Sequence, residues 1–300
     1  MTFVVFNGAS GGLGRHLGTA LTERNLQNAP LGSRLGDVDS LLSELEQLVV
    51  EPGTALALIQ SAALVSVGAA ADDPDRAYDV NVTRTVDTVA AFAGWAADRG
   101  HAPGVVFVSS GHVYAPPDPG NRVAEDAPVR PMSVYAKTKL AAEERLRDLA
   151  EQLDHRLIVA RVFGMIGPDQ RPGYLLPGLV RRAREGDLVE IPGLDNVRDY
   201  LDTRDVAGHL ASLVVEGDGG TVNVCSGEPT RVGDLLDQVL QVEHGADPQA
   251  LEAARRRVTS APGRDSDVAW LVGDPTRLAR YATGPVRSIS IGETIAEAMA

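Results

Sequence analysis

The feature that most constrains this chain stands at its start. The apolar run Phe3-Val-Val-Phe6 passes into Gly8-Ala-Ser-Gly11-Gly-Leu-Gly14, and the helical pattern Leu13 to Arg24 follows at once. Strand, glycine turn and helix in that order suit the pyrophosphate of a dinucleotide. Glycines let the backbone approach the phosphates, and a helix N-terminus presents unpaired N–H groups to them. The spacing Gly8, Gly11, Gly14 departs from the usual G-x-G-x-x-G, and a simple tight turn is the alternative reading. Gly8, Ser10, Gly11, Gly12, Leu13 and Gly14 are the candidate cofactor contacts.

Short apolar runs recur at Ala55 to Ile59, Gly104 to Val108, Leu157 to Val162 and Thr221 to Val224, and amphipathic helical patterns at Pro74 to Arg99 and Tyr135 to Gln152. This alternation predicts an α/β chain with a Rossmann-type, doubly wound parallel sheet. Beyond about Arg161, Gly167-Pro168, Arg171-Pro172-Gly173 and Pro192-Gly193 punctuate shorter elements, which predicts a smaller C-terminal α/β substrate lobe. The expected division gives residues 1–162, with a return segment at about 201–225, to the dinucleotide domain, and 163–200 with 226–300 to the lobe. Leu26 to Asp39 must hold both the second strand and the next turn. An acidic residue for an adenosine ribose hydroxyl is expected there, but Leu31-Gly32-Ser33-Arg34 is found instead, followed by Asp37. A hydroxyl and a guanidinium suit a 2'-phosphate. NADP(H) is therefore favoured over NAD(H), with Ser33, Arg34 and Asp37 as candidates, unless Arg34 is a plain surface residue.

Lys137 and Lys139 are the only lysines among the 28 basic residues. Lys139 follows Tyr135 by four positions, so on a helix the two share a face. An ammonium beside a phenol is expected to lower the phenol's pKa below ~10 and make an acid/base pair, the alternative being a solvated helix face. The net charge of -13 argues against a nucleic-acid partner, and Arg255-Arg256-Arg257 reads as a solvated helix face. Cys225 is alone and the six histidines show no ligand spacing, so neither disulfide nor metal is expected. With no basic leader and no apolar run of ~18 residues, a cytoplasmic protein is expected rather than a secreted or membrane one.

Taken in order, Gly8, Gly11, Gly14, Tyr135 and Lys139 make the chain resemble the extended short-chain dehydrogenase/reductases of the NAD-dependent epimerase/dehydratase family that act on nucleotide sugars. The resemblance runs nearly end to end. Ser61-Ala62-Ala63 stands at the family's small turn, Asn81 at its structural Asn, and Val108-Ser-Ser110-Gly-His-Val-Tyr114 at its Ser/Thr-bearing strand end. Arg161 to Pro168, Arg198-Asp199-Tyr200-Leu-Asp202, Asp205-Val206 and Asn223-Val-Cys-Ser-Gly227 match its later signatures. The resemblance implies that Ser110 holds the reacting oxygen, Tyr135 exchanges its proton and Lys139 binds the nicotinamide ribose. Ala62, Ala63 and Asn81 fall on the cofactor side. Ser110, Gly111, His112 and Tyr135 face substrate, with Arg198 and Arg264 clamping its pyrophosphate. Ser110 can otherwise be a strand-end cap, and either arginine a surface ion-pair partner.

Family dehydratases carry Asp-Glu directly after the Ser110 position, whereas Gly111 and His112 stand here and disfavour elimination. His112 is either an acid/base group or a substrate contact. Gly164 replaces the family's common Asn, removing one contact. The tail Arg264-Asp-Ser-Asp267-Val268, Leu271-Val-Gly-Asp274 and Leu278 to Gly284 resembles that of 4-ketoreductases. The implied function is NADPH-dependent reduction of the C4 ketone of a nucleotide-linked 4-keto-6-deoxyhexose, with Tyr135 as proton donor. A nucleotide-sugar 4-epimerase with tightly bound NAD and a non-catalytic NADP-sensing protein are the alternatives. Relatives pair through the helices Pro74 to Arg99 and Tyr135 to Gln152, whose Ala90-Ala91 and Ala96-Ala97 allow close approach, so a homodimer is expected.

Overall fold

In Val4-Val-Phe6, Leu56-Ala-Leu-Ile59, Val105-Val-Phe-Val108 and Leu157-Ile-Val-Ala160 every side chain is buried. Strands of that kind need cover on both faces, which helices between parallel strands provide. The computed structural model describes residues 2–51, 53–263 and 267–300 and has this arrangement. The chain begins β1 (Thr2–Phe6), α1 (Gly12–Glu23), β2 (Gln27–Pro30), α2 (Val38–Leu45), β3 (Ala55–Gln60) and α3 (Val67–Asp72). It continues α4 (Pro74–Tyr78), a π turn (Asp79–Thr83), α5 (Arg84–Asp98), β4 (Pro103–Ser110), α6 (Val134–Gln152) and β5 (Arg156–Val162). Next come β6 (Gly164–Ile166), α7 (Leu175–Glu185), β7 (Ile191–Pro192), β8 (Val197–Asp202), α8 (Thr203–Glu216) and β9 (Gly220–Val224). The chain closes with β10 (Pro229–Arg231), α9 (Val232–His244), α10 (Pro248–Arg257), β11 (Ser260–Ala261), β12 (Trp270–Leu271) and α11 (Ile291–Met299).

Six parallel strands form one sheet in the order β2-β1-β3-β4-β5-β9. The chain leaves β1 for β2 on one side and crosses back to β3 on the other. That reversal opens a crevice at the carboxyl ends of β1 and β3, where ligands bind in open α/β sheets. Alternation along the strands divides the core. Val4, Phe6, Ile59, Val106 and Ile158 pack under α1 and α8, while Val5, Leu58, Phe107 and Val159 pack under α2, α5 and α6. A second sheet, β10-β8-β12 with β6 on β8, and a separate cluster around Leu176, Leu235, Leu236 and Ile295 form the later part of the chain. Among the described residues no helix is long and apolar enough to cross a membrane.

The continuous helix expected over Pro74 to Arg99 is interrupted by the π turn. At its centre stands Asn81, which is fully buried and spends its side chain on other elements. Its Oδ1 accepts from Leu64 N at 2.7 Å, and its Nδ2 donates to Leu64 O at 3.1 Å and to Thr138 Oγ1 at 3.0 Å. A π turn widens the helix by one residue and is found at functional sites.

Glu143 on α6 is also fully buried. Arg161 on β5 grips it with Nε at 3.0 Å and Nη2 at 2.7 Å, Ser109 Oγ donates at 2.5 Å and Arg147 Nη2 at 2.9 Å. Removing one partner of such a pair strands the other charge in a low dielectric. Glu143→Ala is therefore expected to lower stability by about 3–5 kcal/mol, measured by chemical denaturation. A loss below about 1 kcal/mol, the range of exposed pairs, would contradict this account of the α6–β5 joint.

Candidate active site

The glycine turn is shaped by its own backbone. Gly8 has φ +75°, which L side chains rarely adopt, and a Cβ there would stand 2.8 Å from Ser61 Oγ. Gly14 is dictated by contact: its Cβ would lie 2.0 Å from Gly8 O, so α1 starts directly on the turn. A Cβ on Gly12 would meet nothing within 4 Å. The facing wall is the segment after β3, held by Asn7. Asn7 Oδ1 accepts from Ser61 N at 2.9 Å and Ala62 N at 2.8 Å, and Ser61 Oγ donates to Asn7 O at 2.6 Å. Asn81 holds the same segment at Leu64.

From this turn a cleft of about 520 Å³ runs past Ala62 and Ala63 to Ser110, His112, Tyr135 and Lys139. Ser10, Gly11, Gly12, Leu13 and Gly14 line its near end. An open turn of glycines below a helix N-terminus and an ammonium-bearing far end fit a nicotinamide dinucleotide. Ser133 starts α6 by accepting from Ala136 N at 3.1 Å, and the helix then brings Tyr135 and Lys139 to the carboxyl end of β4. Ser110 Oγ accepts from His112 N at 3.2 Å, capping the short turn Gly111–Val113, and the residue also lines the cleft. Lys139 is buried, donates from Nζ to Val108 O at 2.8 Å, and lies 4.9 Å above the Phe107 ring. Lys137 is exposed.

The electrostatics differ from expectation. The Tyr135 phenol is pushed up to about 12, not down: burial dominates, hydrogen bonding to Ser110 opposes it, and Tyr174 adds to it. Lys139 itself is brought down to about 8 by burial, with the Glu143 carboxylate opposing. His112 falls to about 4 through burial and the charge of Arg198, against the pull of Asp267, so its imidazole is neutral near pH 7.

Several anticipated contacts lie elsewhere. Asn81 does not reach the cleft because its side chain is consumed by Leu64 and Thr138. Ser33, Arg34 and Asp37 lie outside the described cleft, Arg34 and Asp37 being placed in the turn after β2. Leu31 N donates to Phe6 O at 2.8 Å, so that turn stands beside the glycine turn, and Asp37 caps α2 by accepting from Ser40 N at 3.2 Å. Gly111 is buried behind the Phe163 ring, which a Cβ would approach to 2.9 Å. Arg198 is absent from the cleft lining. It follows the register of the second sheet, with Nη1 bonded to Val197 O at 2.9 Å, and sits behind His112. Arg264 lies outside the described residues. A Cβ on Gly164 would lie 2.4 Å from the Tyr200 ring and 2.5 Å from Asp199 O. Phe163, Met165, Gln170, Arg171 and Tyr174 line the cleft and were not anticipated. The Gly167 to Gly173 punctuation marked their segment without saying what it packs against.

A profile of the NAD dependent epimerase/dehydratase family matches residues 4–225. The chain belongs to that family. Among curated relatives of the family, the chain is 29% identical over 225 residues to the GDP-6-deoxy-D-mannose reductase of Pseudomonas aeruginosa, covering 70% of this chain and 73% of the other. It is 31% identical over 178 residues to a bifunctional UDP-glucose and UDP-xylose 4-epimerase of Pisum sativum, covering 52% and 49%. The structure of RMD from Pseudomonas aeruginosa complexed with NADPH superposes with a TM-score of 0.80 at 25% identity, over 100% of this chain and 98% of that one. The UDP-glucose 4-epimerase of Thermus thermophilus in complex with NAD superposes at 0.83 and 23% identity, over 99% and 98%, a likeness of fold.

Two glycine substitutions separate the turn's own packing from its ligand. Gly14→Ala is expected to lower the melting temperature and to weaken NADPH binding by about tenfold or more, ~1.4 kcal/mol, because the methyl group overlaps Gly8 O. Gly12→Ala meets no protein atom, so stability should hold and only the titrated affinity should fall. Equal melting temperatures for Gly14→Ala and wild type would disprove the packing account.

Proposed function

We propose that this protein is an NADPH-dependent nucleotide-sugar 4-ketoreductase, reducing the C4 ketone of a nucleotide-linked 4-keto-6-deoxyhexose. The observation that carries the reading is the convergence of Ser110, Tyr135 and Lys139 at one end of a cleft whose other end is the glycine turn. The bound cofactor supplies the hydride. Ser110 hydrogen-bonds the ketone oxygen, and Tyr135 gives it a proton as charge develops there. Lys139 keeps one N–H on Val108 O and has others for the nicotinamide ribose.

Three observations support reduction. A phenol raised to about 12 is protonated at neutral pH, the form a proton donor needs. The turn after β2 offers Ser33 and Arg34 and no carboxylate before Asp37, which suits a 2'-phosphate. The relative named above as a GDP-6-deoxy-D-mannose reductase aligns over most of both chains. Elimination has no support, since Gly111 and His112 replace the dehydratase carboxylates and the Phe163 ring leaves no room for a side chain at residue 111. With its pKa lowered to about 4, His112 is a weak base and suits a hydrogen bond to substrate better than proton abstraction, and the nearby Arg198 adds positive potential. A homodimer through α5 and α6 belongs to the same reading and is checked by light scattering.

The test is turnover of a panel of nucleotide-linked 4-keto-6-deoxysugars with NADPH and NADH, followed by absorbance and by NMR of the product. NADPH should be consumed stoichiometrically, which a 4-epimerase would not do. Tyr135→Phe should cut kcat by about 10²–10⁴ with cofactor affinity retained. Because Tyr135 keeps its proton while Lys139 loses its charge above about pH 8, reduction should be flat near neutrality and decline beyond that point. A reduction rate that climbs with pH would sink the assignment of Tyr135 as donor.

A further inference from the structure

The segment between β6 and α7 reaches back over the glycine turn. Arg171 Nη2 donates to Ser10 O at 2.9 Å, across 161 positions of sequence, and both residues line the cleft. The same segment is tied to α1 a turn further along, where Asp169 Oδ2 stands 3.5 Å from His16 Nε2. Its base is fixed by Gln170 Nε2 on Met165 O at 3.0 Å and Thr203 Oγ1 on Ile166 O at 3.0 Å. Among the described residues no carboxylate pairs with Arg171. The first turn of α1 carries no acidic residue either. An uncompensated guanidinium has thus been set against the backbone groups that open toward an anion. Its planar fork has donors beyond the one spent on Ser10 O, and phosphate oxygens match that geometry.

We infer that Arg171 is a phosphate-binding residue for the cofactor, supplied by the segment after β6 to the pyrophosphate at the glycine turn. The inference rests on the reading of the cleft as a nicotinamide dinucleotide site. It has a structural consequence. Tyr174 N donates to Arg171 O at 3.4 Å and the Tyr174 ring lines the cleft near Tyr135, so an anion that holds Arg171 also holds the turn that shapes the sugar end. Cofactor binding is thereby coupled to the shape of the substrate end.

The experiment titrates NADPH and NADH into the whole wild-type chain, Arg171→Gln and Arg171→Lys by fluorescence, with melting of each apo protein and amide exchange over residues 170–175. Arg171→Gln is expected to raise Kd about tenfold, by the same factor for both cofactors, because both carry the pyrophosphate. Arg34→Gln should raise Kd for NADPH alone. Apo melting should be unchanged, Arg171→Lys should recover part of the affinity, and NADPH should slow exchange over 170–175 in wild type but not in Arg171→Gln. Unchanged Kd values, or a loss of affinity matched by a fall in apo stability, would overturn the role of Arg171 and leave the reductase reading standing. Wild-type protein that binds neither cofactor would overturn both.

Discussion

The joint between α6 and the sheet depends on one buried carboxylate. Glu143 lies four residues beyond Lys139 and eight beyond Tyr135, so all three rise from one face of the helix. Arg161 on β5 and Ser109 on β4 bind its two oxygens, and Ser109 is the neighbour of Ser110. The ion pair thus sets the height of the helix against the strand that carries the third polar group of the site. A fully buried charge is tolerated only with every lone pair occupied. A shift of α6 by one residue would break three bonds to β4 and β5 together. The same carboxylate opposes the effect of burial on Lys139 and keeps its ammonium closer to its ordinary acidity.

A second buried acid does comparable work for the later part of the chain. Asp199 on β8 accepts from Ser226 N, Ser226 Oγ and Gly227 N at 2.7, 2.6 and 2.7 Å and from Gly273 N at 3.2 Å. It fastens the end of β9 and the segment after β12 to the second sheet. Arg161 lies 4.6 Å from the Tyr114 ring, whose hydroxyl donates to Asn223 Oδ1 at 2.7 Å, and Asn223 Nδ2 reaches Val123 O at 2.8 Å. Polar side chains, not apolar area alone, therefore register the two sheets against each other. This is where buried polar networks give a unique arrangement, because each member left unsatisfied would cost more than it contributes.

The strands were legible because their apolar runs are short, bounded and buried on both faces, and β1, β3, β4, β5 and β9 fall within about two residues of their sequence boundaries. Tyr135, Lys139, Ser110 and the glycine turn were legible because each owes its place to local spacing: i to i+4 on a helix, or the end of a strand. What escaped depends on contacts remote in sequence. Nothing near Arg171 announces Ser10, and nothing near Asn81 announces its bonds to Leu64 and Thr138. The Tyr135 acidity was misjudged for a related reason. Spacing reveals that a cation is near, but not how much solvent the ring has lost.

One tension remains between a chain of net charge -13 and ligands that are themselves polyanions. It resolves through distance. At physiological ionic strength the Debye length is about 8 Å, so carboxylates on outer helix faces are screened from a cleft behind them. What a nucleotide meets is local: the N-terminal N–H groups of α1, with no acidic residue in that turn, and the guanidinium of Arg171 above them. A compact ligand fits wholly within that patch. A nucleic acid does not, since its charge runs on past many screening lengths and would meet the acidic surface everywhere else. The same composition that argues against nucleic acid is therefore compatible with a nucleotide cofactor, because a few placed cations rather than the overall charge set the binding.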